Sequence, residues 1–169
     1  MPDDDYQRHV LSLVERKRPR SILAIGPRGR ELFRTYLRTR GEKATLTCFE
    51  GERAMKQLAG FGRCQFGFVE RTLEHLSKDE GLALLARLRD IHTERFCALV
   101  PIGPGGARHA SAWDHTDLVA HGMTLLGRYQ KAGDPLSLYG FDIASYKRTP
   151  DWLNPKHWAH PELWDKYRW

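Results

Sequence analysis

Glu50, Glu70 and His75 are the side chains of this 169-residue chain whose types and places could do chemistry. Each stands at or just beyond the end of a short apolar run, Ala44–Phe49 before Glu50 and Cys64–Val69 before Glu70 and His75. A carboxylate at the tip of a strand can accept hydrogen bonds from two sugar hydroxyls. A carboxylate or an imidazole can also take the proton of a reacting nucleophile. Beside them stands the turn Gly26-Pro27-Arg28-Gly29, between the apolar run Ile22–Ile25 and the helical pattern Leu32, Phe33, Tyr36, Leu37. Glycine there lets backbone approach a ligand closely, and the N–H groups opening the next helix attract negative charge. Arg28 and Arg30 sit at that positive helix end, so an anionic group between them is a natural complement. The same residues have structural readings. Glu50 can be a solvent-facing strand end, Glu70 can pair with Arg71 or Arg63, and His75 can cap its loop.

These residues need elements to hold them. Tyr6, Val10, Leu13 and Val14 repeat with helical spacing and predict a first helix that stops before Pro19. The strand over Ile22–Ile25 and its following helix come next, and Gly41 ends that helix. Ala44–Phe49 predicts a second strand. Between Gly51 and Arg63 there is room only for a short helix on Met55 and Leu58, so a full strand-and-helix unit is missing after strand two. Cys64–Val69 predicts the third strand. Ser77-Lys78-Asp79-Glu80 has the spacing of a capping box and opens a helix expected to turn Leu84, Leu85, Leu88 and Ile91 inward. Phe96–Val100 is continuously apolar, as a central parallel strand is. Pro101–Ala112 reads either as a flap over the carboxyl ends of the strands or as an ordinary connection. A short helix near Thr116–His121 then leads to strands over Thr124–Gln130 and Leu136–Asp142, joined by Ala132-Gly133-Asp134-Pro135. Strands alternating with helices, closed by a hairpin, predict an α/β fold: a mostly parallel sheet, helices on both faces, an antiparallel C-terminal hairpin.

Composition bounds the rest. With 41% hydrophobic and 28% charged residues the chain reads as one α/β domain over 1–145, with a Trp-rich extension over 146–169 packed on it. No apolar run reaches the ~20 residues of a membrane span. The acidic start MPDDDYQRHV is unlike a signal peptide, so a cytoplasmic protein is expected. Cys48, Cys64 and Cys97 share no CxxC spacing, fall in predicted strands and are expected as buried thiols. His109, Asp114, His115, Asp117 and His121 lie close in sequence but match no metal-ligand spacing, so no metal is expected. The net charge is +6. Arg30, Arg34 and Arg38 recur every four residues and form a stripe, either a solvated face or a contact for nucleic acid or protein. Trp152, Trp158, Trp164 and Trp169 in the extension read as rings wrapped onto the domain, or as a lid or docking surface for such a partner.

The turn at Ile22–Gly29, the acid Glu50 and the segment Leu73-Glu74-His75-Leu76 together resemble the class I S-adenosylmethionine-dependent methyltransferases, over about residues 21–142. The terminal hairpin is similar to that family's antiparallel last strand. The resemblance implies a Rossmann-like methyltransferase sheet and a place in a small divergent bacterial branch. It also implies S-adenosylmethionine as cofactor, held by Gly26, Arg28, Gly29, Glu50 and Glu70, with Glu70 and His75 as catalytic candidates. The expected activity is methyl transfer to an acceptor that the sequence leaves unspecified. Ala24 stands where the family usually has an acid, and Pro27-Arg28-Gly29-Arg30 where it has a glycine-rich run. The alternative is therefore a catalytically silent domain of the same fold that binds a nucleotide, RNA or a protein.

Overall fold

The computed structural model describes residues 5–104, 109–131 and 134–146. Residues 147–169 of the Trp-rich extension, and the expectations attached to its tryptophans, lie outside the described residues. The chain runs α1 (Asp5–Lys17), β1 (Ser21–Ile25), α2 (Gly29–Arg40), β2 (Thr45–Phe49), α3 (Ala54–Leu58), β3 (Phe66–Glu70) and α4 (Lys78–Arg87). It continues with β4 (Arg95–Pro101), α5 (His115–Ala120), β5 (Thr124–Lys131) and β6 (Asp134–Asp142). These strands form one sheet in the order β2-β1-β3-β4-β6-β5. The first four in that order are parallel, and β6 inserts antiparallel between β4 and β5.

Alternation along the strands sorts the core onto the two faces of the sheet. In β1, Ile22 and Ala24 turn to the face covered by α1 and α2, where they meet Tyr6, Val10, Phe33 and Tyr36. Leu23 and Ile25 turn to the other face and pack with Leu58, Leu84, Leu88 and Trp113. Phe33 stands edge-on to Phe66 and Phe68, with centroids 6.4 and 6.0 Å away. Burying a ring of that size stabilises by roughly 2–3 kcal/mol, so this contact, with buried Leu32 and Tyr36, holds α2 to the sheet.

The missing unit after strand two is a feature of the fold. Between β2 and β3 the chain makes one 3-10 turn (Gly51–Arg53) and the five-residue α3, then crosses to the far side of β1. Among the described residues, β2 pairs only with β1 and is left as a sheet edge.

The capping box forms as expected, with Ser77 accepting from the Glu80 N–H and Glu80 accepting from the Ser77 N–H. Ile91 departs from expectation and is 55% exposed. The helix loosens into one π turn over Leu88–His92, where Leu88 O accepts from both the N–H and the hydroxyl of Thr93. The extra residue in that turn rotates Ile91 outward and buries His92 in its place. Cys64 also lies just ahead of β3, in an isolated bridge to Thr93.

Asp142, at the end of β6, ties α1 and β4 together through Lys17 at 3.1 Å and Arg95 at 3.4 Å. Burial alone would raise its carboxyl. The Lys17 hydrogen bond, the Ala144 N–H and Arg95 outweigh that and hold it below its ordinary value. A carboxyl depressed in the folded state adds stability above its unfolded pKa, and that contribution is lost as pH falls through the folded value. Asp142→Asn is therefore expected to lower neutral-pH stability by no more than about 1 kcal/mol. The difference from the parent should close below about pH 4, as read from urea midpoints across pH.

Candidate functional site

The strand order reverses around β1, with β2 on one side and β3 on the other, and open α/β sheets bind ligands at the carboxyl ends of strands there. A crevice of about 620 Å3 opens at that place. Gly26 from the end of β1, Glu50 from the end of β2, Arg30 from α2, and Arg71, Thr72 and His75 from the segment after β3 line it.

Gly26 has φ 120°, a conformation L side chains rarely adopt, and a methyl on it would overlap the Glu70 carbonyl oxygen. Its N–H donates to Phe49 O at 3.1 Å, so the turn that leaves β1 is stitched to both neighbouring strands. Gly29 performs a different task. It is buried against the Ala24 side chain and lets α2 lie close on β1, and it does not line the crevice. The exposed Arg28 does not line it either; its backbone N–H donates to Glu70 Oε2 at 3.1 Å.

Glu50 presents its carboxylate openly, 71% exposed, with Arg53 at 3.5 Å as an ion-pair partner. Glu70, expected at the reacting centre, lies beneath the turn instead and is 2% exposed. Its two oxygens are taken by the Tyr6 hydroxyl at 2.7 Å and the Arg28 N–H at 3.1 Å. This carboxylate locks α1 and the Gly26–Arg28 turn to the end of β3. Burial, with Glu70 adding to it against Gln7, holds the Tyr6 phenol above its ordinary value.

His75 reaches the crevice with its side chain 44% exposed. Behind it Glu74 is 0% exposed, with Oε1 at 3.3 Å from Arg71 Nε and 3.9 Å from His75 Nε2. The His109 ring stands edge-on to His75 with centroids 6.2 Å apart. The described end of the Pro101–Ala112 loop is anchored beside this group, since the Ala110 N–H donates to Glu74 O and the Ser111 hydroxyl to Leu73 O. Trp113 Nε1 also donates to Leu73 O, and the indole is buried with Lys78 Nζ 4.2 Å from its ring centroid. Residues 105–108 of the loop lie outside the described residues.

The other histidines and acids near this loop have separate partners. His115 Nδ1 is 3.0 Å from the Tyr139 hydroxyl, His121 Nδ1 is 3.0 Å from Asp117 O, and Asp117 pairs with Lys78. Asp114 and Asp117 form a second capping box that opens α5. Among the described residues no three histidine, cysteine or acidic side chains converge as a ligand set.

The cysteines are free. Burial pushes Cys64 up to about 11 and Cys97 up to about 12, which leaves both thiols unreactive near neutrality. Cys48 is half-buried rather than buried, and among the described residues β2 has no outer neighbour. It lines the crevice beside Arg30, and burial raises its thiol with Arg30 opposing.

Sequence reasoning quoted Glu74 within the Leu73–Leu76 segment and His109 within the candidate flap but gave neither a role at the crevice, and it did not find Arg71, Thr72 or the Tyr6 contact to Glu70.

A mostly parallel six-stranded sheet with an antiparallel terminal hairpin, and its crevice at the switch point, define the class I S-adenosylmethionine-dependent methyltransferase fold. The chain belongs to a family of unknown function (DUF6231), matched over residues 4–169. No curated protein matches it in sequence. Among solved structures it is similar to magnesium protoporphyrin IX methyltransferase from Synechocystis PCC 6803 with bound SAH, at 12% identity, TM-score 0.59 and 82% coverage of each chain. It is also similar to a SAM-dependent methyltransferase from Aquifex aeolicus, at 14% identity and TM-score 0.51, over 79% of this chain and 88% of that one. At such identities the likeness establishes the fold. No helix among the described residues is long and apolar enough to cross a membrane.

Proposed function

We propose that this chain binds S-adenosylmethionine in the crevice and transfers its methyl group to an acceptor presented beside His75. The observation that carries the reading is a crevice lined by both an acidic and a basic side chain at the ends of its elements. An exposed carboxylate, Glu50, stands at the tip of β2, and a guanidinium, Arg30, stands at the start of α2. A ligand with a ribose diol at one end and an amino-acid carboxylate at the other matches that pair. The Glu50 oxygens would accept from the two ribose hydroxyls, and Arg30 would hold the carboxylate. Gly26 leaves its part of the crevice wall free of a side chain.

The cofactor supplies an electrophilic methyl on a sulfonium. What remains for the protein is alignment of the nucleophile and removal of its proton. His75 is the candidate base, exposed to the crevice and backed by the buried Glu74. Glu70 is a positioning residue, acting through the Arg28 N–H on the shape of the turn.

Calorimetric titration of the full chain with S-adenosylmethionine tests this reading. Saturable binding is expected, weakened about tenfold or more in Glu50→Ala by loss of two hydrogen bonds to a charged acceptor. Glu50 is exposed, so the variant is expected to fold as the parent does. Absence of saturable heat at about 1 mM ligand would sink the proposal.

A further inference from the structure

Among the described residues the outer edge of β2 has no strand paired with it. The Thr45 N–H donates to Arg20 O at 2.8 Å, and Phe49 O accepts from the Gly26 N–H at 3.1 Å, so residues 45, 47 and 49 direct their peptide groups toward β1. By strand alternation the N–H and C=O groups of Leu46 and Cys48 face the side where, among the described residues, no strand lies. Beside this edge runs a groove of about 410 Å3, with Leu37, Ala44 and Leu46 on its floor and Arg30, Arg34 and Arg38 along its wall. All three arginines are exposed, and none is in an ion pair among the described residues. Among the described residues the groove is lined by no acidic side chain.

We propose that this edge is a docking site for an extended polypeptide segment of a partner, with carboxylates at alternate positions, which pairs with Leu46 and Cys48 of β2. Three features of the groove select that occupant. The four peptide groups on the edge are met by another strand's backbone. Alternate residues of an added strand project to one face every ~6.6 Å. Arginines four apart on α2 advance ~6 Å. Carboxylates on the α2 side of the added strand therefore keep step with the arginine row, while its backbone lies over the apolar floor.

Other occupants fit less well. A second copy of the chain, pairing through the same edge, would set its own arginine row against this one, and like charges at that distance repel. A single-stranded nucleic acid would use the arginines, but among the described residues none of the groove's lining side chains is aromatic to stack its bases, and the peptide groups of β2 would stay unpaired. Arg30 and Cys48 also line the crevice of the proposed methyl transfer, whereas Arg34 and Arg38 line the groove and not the crevice, so the test varies those two.

The test is fluorescence anisotropy of the full chain with a labelled peptide of alternating valine and glutamate, about ten residues long at low salt. Three comparison probes are the same peptide N-methylated at alternate residues, a valine–lysine peptide, and an oligouridylate. Saturable binding of the glutamate peptide is expected, weakened at least tenfold by N-methylation and by the double variant Arg34→Glu/Arg38→Glu. Its amide NMR shifts should centre on Leu46 and Cys48. Both arginines are exposed, and an unchanged melting temperature would show that the variant is folded.

Equal binding of the N-methylated peptide would overturn strand pairing. Tighter binding of oligouridylate than of peptide would assign the groove to nucleic acid instead. A sedimenting dimer that dissociates in Leu46→Pro would assign the edge to a second copy. No binding of the glutamate peptide at about 1 mM would leave the arginines as charges that keep β2 edges apart and would end the proposal.

Discussion

Gly26→Ala is expected to lower stability by roughly 2–4 kcal/mol and to abolish cofactor binding. Two costs combine. The backbone at φ 120° disfavours any L side chain, and the new methyl meets the Glu70 carbonyl, which as strand backbone cannot rotate away. Relief requires β1 and β3 to separate at their carboxyl ends, which is where the crevice opens. The measurement is the urea midpoint followed by far-ultraviolet circular dichroism, with Gly60→Ala as control because a methyl there meets nothing within 4 Å. A Gly26→Ala midpoint equal to that of the control would contradict the close approach.

Glu70→Leu is expected to cost roughly 3–4 kcal/mol, more than removal of an ordinary surface acid. Leucine leaves both the Tyr6 hydroxyl and the Arg28 N–H without their acceptor, in a place little reached by water. Tyr6→Phe alone should cost about 1–2 kcal/mol. The double variant should be more stable than the sum of the two, since the stranded hydroxyl has gone, with a coupling of at least about 0.5 kcal/mol. Additive effects would mean that the 2.7 Å contact carries no coupling. The same variants separate a positioning role from a catalytic one. In the positioning role any loss of S-adenosylmethionine affinity follows the loss of stability and is shared by Tyr6→Phe, which a direct cofactor contact by Glu70 would not produce.

The legible parts of this chain are those written in neighbouring residues. The β1 turn, the short second crossover, the Ser77–Glu80 cap and the terminal hairpin each depend on a few adjacent positions, and each stands where the pattern put it. Ile91 shows the limit. Its helical spacing was sound, but a bond from Thr93 to Leu88 turned the last residues into a π turn and exchanged its burial with that of His92. Cys48 shows another. Apolar character predicted burial, and the thiol is part-exposed on a strand that, among the described residues, has no outer neighbour.

The candidate site divides in the same way. That a crevice lies beyond Gly26 and Glu50 followed from the order of strands and turns, because chain direction brings those strand ends together. Which side chains face into it did not follow. Glu70, Glu74 and His75 lie within six residues, yet Glu70 bonds to Tyr6, 64 positions away, Glu74 packs behind Arg71, and His75 meets His109 from the loop after β4. Periodicity and turn chemistry act over a few residues and set where each element starts and stops. The direction of a polar side chain at a strand end is settled by whichever partner another element brings within hydrogen-bond reach, and that meeting exists only once the sheet has assembled.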